Sequence, residues 1–497
     1  MTHILTLIVY DLRSQLRERG TLALMLAALL LALSGLYEGQ RYATRNQRAA
    51  HAAAVQQSQA RTDAEALAKR YFAQPDAAEF AGMKWWRTPV DIRGYAFREH
   101  VGFAAKPDIP AGALAVGQSD LLPAYVRVRA ESMESARTAL EIEHPALLAV
   151  GRFDLQFFVV YLWPLILLAL TTSVLTQDRE SLRLRALQLQ GVRPGRMLVA
   201  QVAARSLAAT CLLSLVCCAA ALAMGAVPAN GAGMSALAQW SGVALLYGAF
   251  WSAVAIAVCA VCGNRMTAAF AGFGAWLVLA IVLPGALSAG VQAGAPLPHR
   301  ERYVQAMRDA GDIVAANKLA SLARFYDSHP DWKPAASLDK ISSSVSRLQR
   351  AQELERVMAD TDRQFALAAE RRQHLFERLQ AASPVTLVYQ SLSALSGNDS
   401  ARHQRFLAEV QAHQQTLRDY FQRVIQLSAL GDERTACPRT CLGGYGFRDF
   451  AQVPAFAPSA SLAVASPWRM QLAPLLPWIA ILLGIAAVLL RRRDRAA

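Results

Sequence analysis

Six stretches of this 497-residue chain contain no Asp, Glu, Lys, Arg or His. They are Gly20–Tyr37, Leu155–Thr176, Ser206–Ala226, Ala236–Cys262, Thr267–Ala289 and Gln471–Leu490. Each approaches the roughly 20 apolar residues that cross a bilayer, and charge in hydrocarbon is costly. The absence of charge argues against a soluble globule and predicts six transmembrane helices. Gly20–Tyr37 reads as an uncleaved anchor rather than a signal peptide, because an amphipathic stretch precedes it and a second span follows.

Other absences narrow the function. There is no G-x-x-x-x-G-K-[ST], so no P-loop cradles a nucleotide phosphate. There is no H-E-x-x-H and no G-x-S-x-G, and the nine histidines are scattered. The chain therefore reads as a non-catalytic protein with no metal or cofactor of its own. His329, in "SHPDW", is the histidine to watch, and it reads as a turn residue before a proline.

Cysteine is scarce, with seven in all. Cys211, Cys217, Cys218, Cys259 and Cys262 lie in or at the ends of apolar stretches, where a thiol behaves as a small hydrophobe. Cys437 and Cys441, in "CPRTC", lie in a polar segment outside the membrane, where disulfides persist, and are expected to pair. No histidine lies within ten residues of them, which argues against a metal site. Lysine is scarcer still. All six lysines fall in residues 38–154 and 290–470.

Arginine is abundant, and its placement sets the topology. The N-terminus, the segment through Arg205, the turn at Gly263–Arg265 and the tail carry 14 arginines against 5 acids. The opposite short loop, Val227–Ser235, carries no charge. The positive-inside rule then places both termini in the cytoplasm. This accounts for the net charge of +14 without nucleic acid as a partner.

The expected fold is a mostly α membrane protein. It has six transmembrane helices and a mainly helical extracytoplasmic domain built from two insertions. Residues 1–19 form a cytoplasmic amphipathic interfacial helix, with Ile4, Ile8, Leu12 and Leu16 on one face. The spans are 20–37, 155–176, 206–226, 236–262, 267–289 and 471–490, with a tail at 491–497. The insertions are 38–154 and 290–470. The first continues span one into a long polar helix through "QRYATRNQRAAHAAAVQQSQARTDAEALAKRYFA", which has no Pro or Gly. A strand or loop unit follows, with Trp85, Trp86 and the alternating "YVRVR". The second insertion is helical, with Phe406, Val410, Leu417 and Phe421 near one stripe. The two insertions are expected to pack together, since neither has an evident core alone.

The loop at 177–205 opens with "QDRESLRLRALQLQGVRPGRM". Leu182, Ala186 and Leu189 lie at helical spacing, and Gly191, Pro194 and Gly195 are expected to end that helix. The residues alone leave two readings open, a helix that docks a soluble partner and a charged hairpin that only fixes topology. The spans offer few polar groups, among them Thr171, Thr172, Ser173, Thr210, Ser214, Gln239, Ser241, Tyr247 and Ser252. An amphipathic solute suits them better than an ion. Pro164, Pro284, Pro474 and Pro477 are expected to kink spans.

This loop resembles the one after the second span in ABC-2 type permeases. There an acidic–Arg–acidic step precedes a leucine-rich helix and a Pro/Arg turn. Asp178, Arg179 and Glu180 match the step, and Val192, Arg193, Pro194, Gly195 and Arg196 match the turn. Ser181 stands where the usual Gly-Thr begins. "ARFYDSHPDW" and "SPVTLVYQSLSALSGNDSARHQRFLAEVQAHQQTLRDYFQ" are similar to the inserted outer domain of an uncharacterised ABC-2 subfamily. "LYEGQRYATRNQ", at the exit of span one, is similar too.

The resemblance implies a dimeric membrane unit, a homodimer or a pseudo-dimer with a related permease. It also implies separate cytoplasmic ATPase subunits that hold the ATP and Mg, and a bacterial inner membrane. Asp178, Arg179, Glu180, Leu182, Leu189, Arg193, Pro194 and Arg196 become the expected ATPase contact. The expected function is coupling of ATP hydrolysis to movement of an amphipathic substrate or of the periplasmic domain. The alternative is a mechanotransmitting scaffold that acts on a periplasmic partner and moves no solute.

Overall fold

A computed structural model describes residues 2–84, 87, 90–117, 122–130, 153–172, 194–330, 343–431, 447–464 and 472–496. Helices dominate. Helix α1 is Thr2–Gln15, and after a short turn α2 runs unbroken from Arg19 to Ala73. Its 55 residues extend about 80 Å. Ala, Leu, Gln and Arg dominate the sequence, and nothing in its polar half breaks the helix.

Five helices among the described residues are long and apolar enough to cross a membrane. They are α2, α4 (Pro194–Ala223), α5 (Gly231–Val261), α6 (Arg265–Gly294) and α12 (Leu475–Ala496). A shorter apolar helix, α3 (Leu155–Thr171), joins them. Helix α5 is the axis of the bundle. Its apolar window is 72% buried, against 17% for α6 and for α12. Trp240, Tyr247, Phe250 and Trp251 of α5 and Trp163 of α3 fill the centre. Large apolar side chains on the outer faces of α2, α4, α6 and α12 stay exposed, as lipid-facing helices require.

Several boundaries differ from the sequence reading. Residues 194–205 are helical, as the first described turns of α4. Pro474 precedes α12, and Pro477 falls in its first turn, where a proline loses no bond because that N–H has no helical acceptor. Pro164 and Pro284 lie inside helices, each just after a π turn, at Phe158–Leu162 and Val278–Val282. The widened turn gives room to the carbonyl that a proline ring would otherwise strike.

Described parts of the two long polar segments, 38–154 and 290–470, share a second core outside the bundle, here called the polar body. Strands β1 (Gly102–Ala105) and β2 (Tyr125–Val128) pair antiparallel, with Phe103 opposite Arg127. The remaining helices are α7 (Arg300–Ala316), α8 (Lys318–Ser328), α9 (Ser343–Leu379), α10 (Pro384–Leu395) and α11 (Ser400–Gly431). One core joins Ile92, Tyr95, Val126 and Val128 to Phe406, Val410, Leu417 and Phe421. The last four are completely buried, on one face of α11. Helix α10 departs from the picture of a wholly outer insertion. Val385, Val388, Leu392 and Leu395 share the apolar core of the bundle.

Candidate functional site

The expected partner contact lies largely outside the described residues. Asp178, Arg179, Glu180, Leu182, Leu189 and Arg193 fall there, as do Cys437, Cys441, Trp85 and Trp86. Pro194 is the first described residue of α4, and Arg196 is exposed in its first described turn. The structure does describe both ends of the intervening segment, at Thr172 and Pro194.

One guanidinium fastens that region. Arg205, in the fourth turn of α4, donates from Nε and Nη2 to the two carboxylate oxygens of Asp11, at 2.7 and 2.6 Å. Both side chains are largely buried, at 13% and 9% exposure. Its Nη1 donates to the Leu170 carbonyl at 3.1 Å. A helix leaves its last carbonyls without helical donors and concentrates negative charge there, so a cation at that end is favourable. The Cys259 thiol of α5 donates to the next such carbonyls, at 3.4 Å for Thr172. Helices α1, α3, α4 and α5 therefore meet around the end of α3.

The other end of α3 is held as firmly. Asp154 caps it, accepting from Phe157 N at 2.7 Å. Its second oxygen accepts from Val116 N and Gly117 N at 2.8 and 2.9 Å. Gln156 donates to the Tyr389 carbonyl and to Ser393 Oγ of α10, at 2.7 and 2.8 Å. Gly35 of α2 lets the chains approach, since a Cβ there would stand 2.8 Å from the Asp154 carbonyl carbon. Asn398 completes the joint, donating to Gly112 O and Ala115 O at 3.1 and 2.6 Å. Helix α3 is thus pinned by polar side chains at both ends, to α1 and α4 on one side and to the polar body on the other.

Buried cations hold the polar body together. Arg402 of α11 donates to the carbonyls of Leu462 and Gly397, each at 2.9 Å, and to that of Pro107. Lys106 Nζ donates to Leu122 O at 3.2 Å and lies over the Phe406 ring. Burial, reinforced by Arg402 and opposed by Asp399, pushes the Lys106 amine down to about 7. Burial first, then Lys106, pushes His403 down to about 4. His100 is pushed to about 4 by burial, then by His413 and Arg127. His329 is a stacked turn residue on Phe325, with Nδ1 near Ser328 Oγ at 2.9 Å. No group of three metal-ligating side chains occurs among the described residues.

The hydroxyls of Thr171, Thr172 and Ser252 turn back on carbonyls four residues earlier, as packing groups do. Tyr247 is different, since its hydroxyl reaches Val160 O across the bundle at 2.8 Å. Asp154, Gln156 and Asp11 escaped the sequence reading as site residues. Asp154 carried the one available signal, a capping residue just before an apolar run.

These features define a mostly α-helical, multi-pass membrane protein. A family model described as a domain of unknown function (DUF3526) matches residues 300–434, which include helices α7 to α11. No curated protein matches the chain, and no solved structure does.

Proposed function

We propose that this chain is the membrane subunit of an ATP-binding-cassette transporter of the ABC-2 type. Separate cytoplasmic ATPase subunits bind ATP and Mg and drive it. The chain contributes six spans, the sixth being α3 with the apolar residues that follow it to Thr176. It works as a homodimer or pseudo-dimer in a bacterial inner membrane, with both termini cytoplasmic and the polar body periplasmic. The observation that carries this reading is the double pinning of α3. A push on the segment between Thr172 and Pro194 meets the Asp11–Arg205 pair at once. It then travels about 25 Å along a stiff helix to Asp154 and Gln156, and so into the polar body.

The cargo in this reading is amphipathic. A second reading has its own support in α2, which passes from the bundle into the polar body without a break. In that reading the complex moves the polar body against a periplasmic partner, and no solute crosses. Co-expression with the ATPase encoded nearest to it, followed by reconstitution in vesicles, tests both. A stable complex with ATP-dependent flux or lipid extraction supports transport. A complex that binds an outer partner in a nucleotide-dependent way, without flux, supports mechanical transmission. Failure of any ATPase subunit to assemble with the chain overturns the class.

A further inference from the structure

One face of α2 carries a pattern that neither the pinning of α3 nor the ATPase contact uses. Leu26, Leu30, Tyr37, Arg41, Arg45 and Arg48 follow one another at helical spacing, with Ser34 filling the gap, so they lie along a single stripe. All six are exposed. The leucines lie in the apolar window, Tyr37 ends it, and the three arginines stand beyond it. A groove of about 600 Å³ runs beside this stripe, lined by Tyr37, Glu38, Arg41, Arg45 and Arg48 among others.

The charge along the groove is unbalanced. Glu38 is the one acid among the described residues that line it, and it pairs with Arg41 at 3.2 Å on an exposed surface. No carboxylate among the described residues pairs with Arg45 or Arg48. Arg41 stands one turn, about 6 Å, above Tyr37, which is the depth of lipid phosphate outside the hydrocarbon. Arg45 and Arg48 continue the charge outward. Exposed leucine, then an interfacial aromatic, then arginine reproduces the polarity profile of an anionic lipid in the order of its parts.

We propose that this face of α2 is a binding site for an anionic phospholipid of the leaflet at the Tyr37 end. The acyl chain lies on Leu26 and Leu30, and the phosphate lies on Arg41 and Arg45. A guanidinium fork suits phosphate oxygens in a way that a neutral headgroup cannot exploit. The site requires only that Gly20–Tyr37 is in the membrane, so it stands or falls separately from the ATPase reading.

The test is native mass spectrometry of the full chain in a neutral detergent, titrated with phosphatidylglycerol or phosphatidylcholine of the same acyl chains. Each arginine near an anionic headgroup contributes roughly a fivefold factor in affinity. The Arg41→Gln/Arg45→Gln variant is expected to bind phosphatidylglycerol roughly 25-fold more weakly, with phosphatidylcholine unchanged. Arg45→Gln alone, which disturbs the fold least, is expected to lose roughly fivefold. Leu26→Ser/Leu30→Ser is expected to weaken the lipid as well, and glycerol phosphate should not displace it. Three results would overturn the site: equal affinity for the two lipids, unchanged phosphatidylglycerol binding in the arginine variants, or displacement by glycerol phosphate.

Discussion

Tyr247 donates its phenolic hydrogen to the Val160 carbonyl at 2.8 Å. Val160 lies in the π turn just before Pro164, where the Trp163 N–H reaches back five residues to the Phe158 carbonyl and the proline offers no N–H, so the helix's own hydrogen-bond ladder is interrupted here. Trp276 of α6 donates to the neighbouring Tyr161 carbonyl at 2.9 Å. The defect that Pro164 creates in α3 is thus repaired from two other helices, and the repair locks the three together.

Tyr247→Phe keeps the ring and removes the donor. It is expected to destabilise the bundle by about 0.6–2 kcal/mol, read as thermal unfolding in detergent. Pro164→Ala restores an N–H to this stretch of α3, so in that background the cost of Tyr247→Phe should shrink. An equal cost in both backgrounds would contradict the assignment.

Asp11→Ala leaves Arg205 largely buried without its counter-charge. A cost of about 3–5 kcal/mol is expected, with Asp11→Asn milder because it keeps one acceptor. Limited proteolysis between Thr172 and Pro194 should accelerate in Asp11→Ala. Unchanged stability and cleavage would show that the pair is not a clamp.

Asp154→Ala removes the cap of α3 and the acceptor of two backbone N–H groups at once. A loss of about 2–4 kcal/mol follows. Hydrogen exchange should rise at Val116, Gly117 and Phe157 together. A rise confined to Phe157 would mean that Asp154 only caps its own helix.

Acid should loosen the polar body. His100 and His403 titrate near 4 when folded and near 6.5 when unfolded. Between those values the unfolded chain binds more protons, so stability rises with pH across the window. The contribution is complete above about pH 6.5 and is lost as pH falls toward about 4. Thermal unfolding across that range checks it. His100→Phe and His403→Phe should flatten the slope, and an unaltered slope in both would contradict the cause given.

Much of the helical framework is legible in the sequence. The reach of α2 to Ala73 follows from a run of helix formers without Pro or Gly, and the buried stripe of α11 from its spacing. The joints are not legible. Arg205 reads as one of many flanking arginines, and its partner Asp11 lies 194 residues away. Helix α10 reads as a short apolar helix, but its place against α5 depends on a surface assembled from distant segments.

The central claim is that α3 carries motion from the Asp178–Arg193 segment into the polar body. The most direct measurement is amide hydrogen exchange over residues 400–425 in the chain assembled with the ATPase subunit proposed for it, with and without ATP. The account predicts an ATP-dependent change in the wild type. It predicts that Arg179→Glu and Glu180→Arg abolish this change while membrane insertion and ATP hydrolysis persist. An ATP-dependent change of undiminished size in both variants would contradict it.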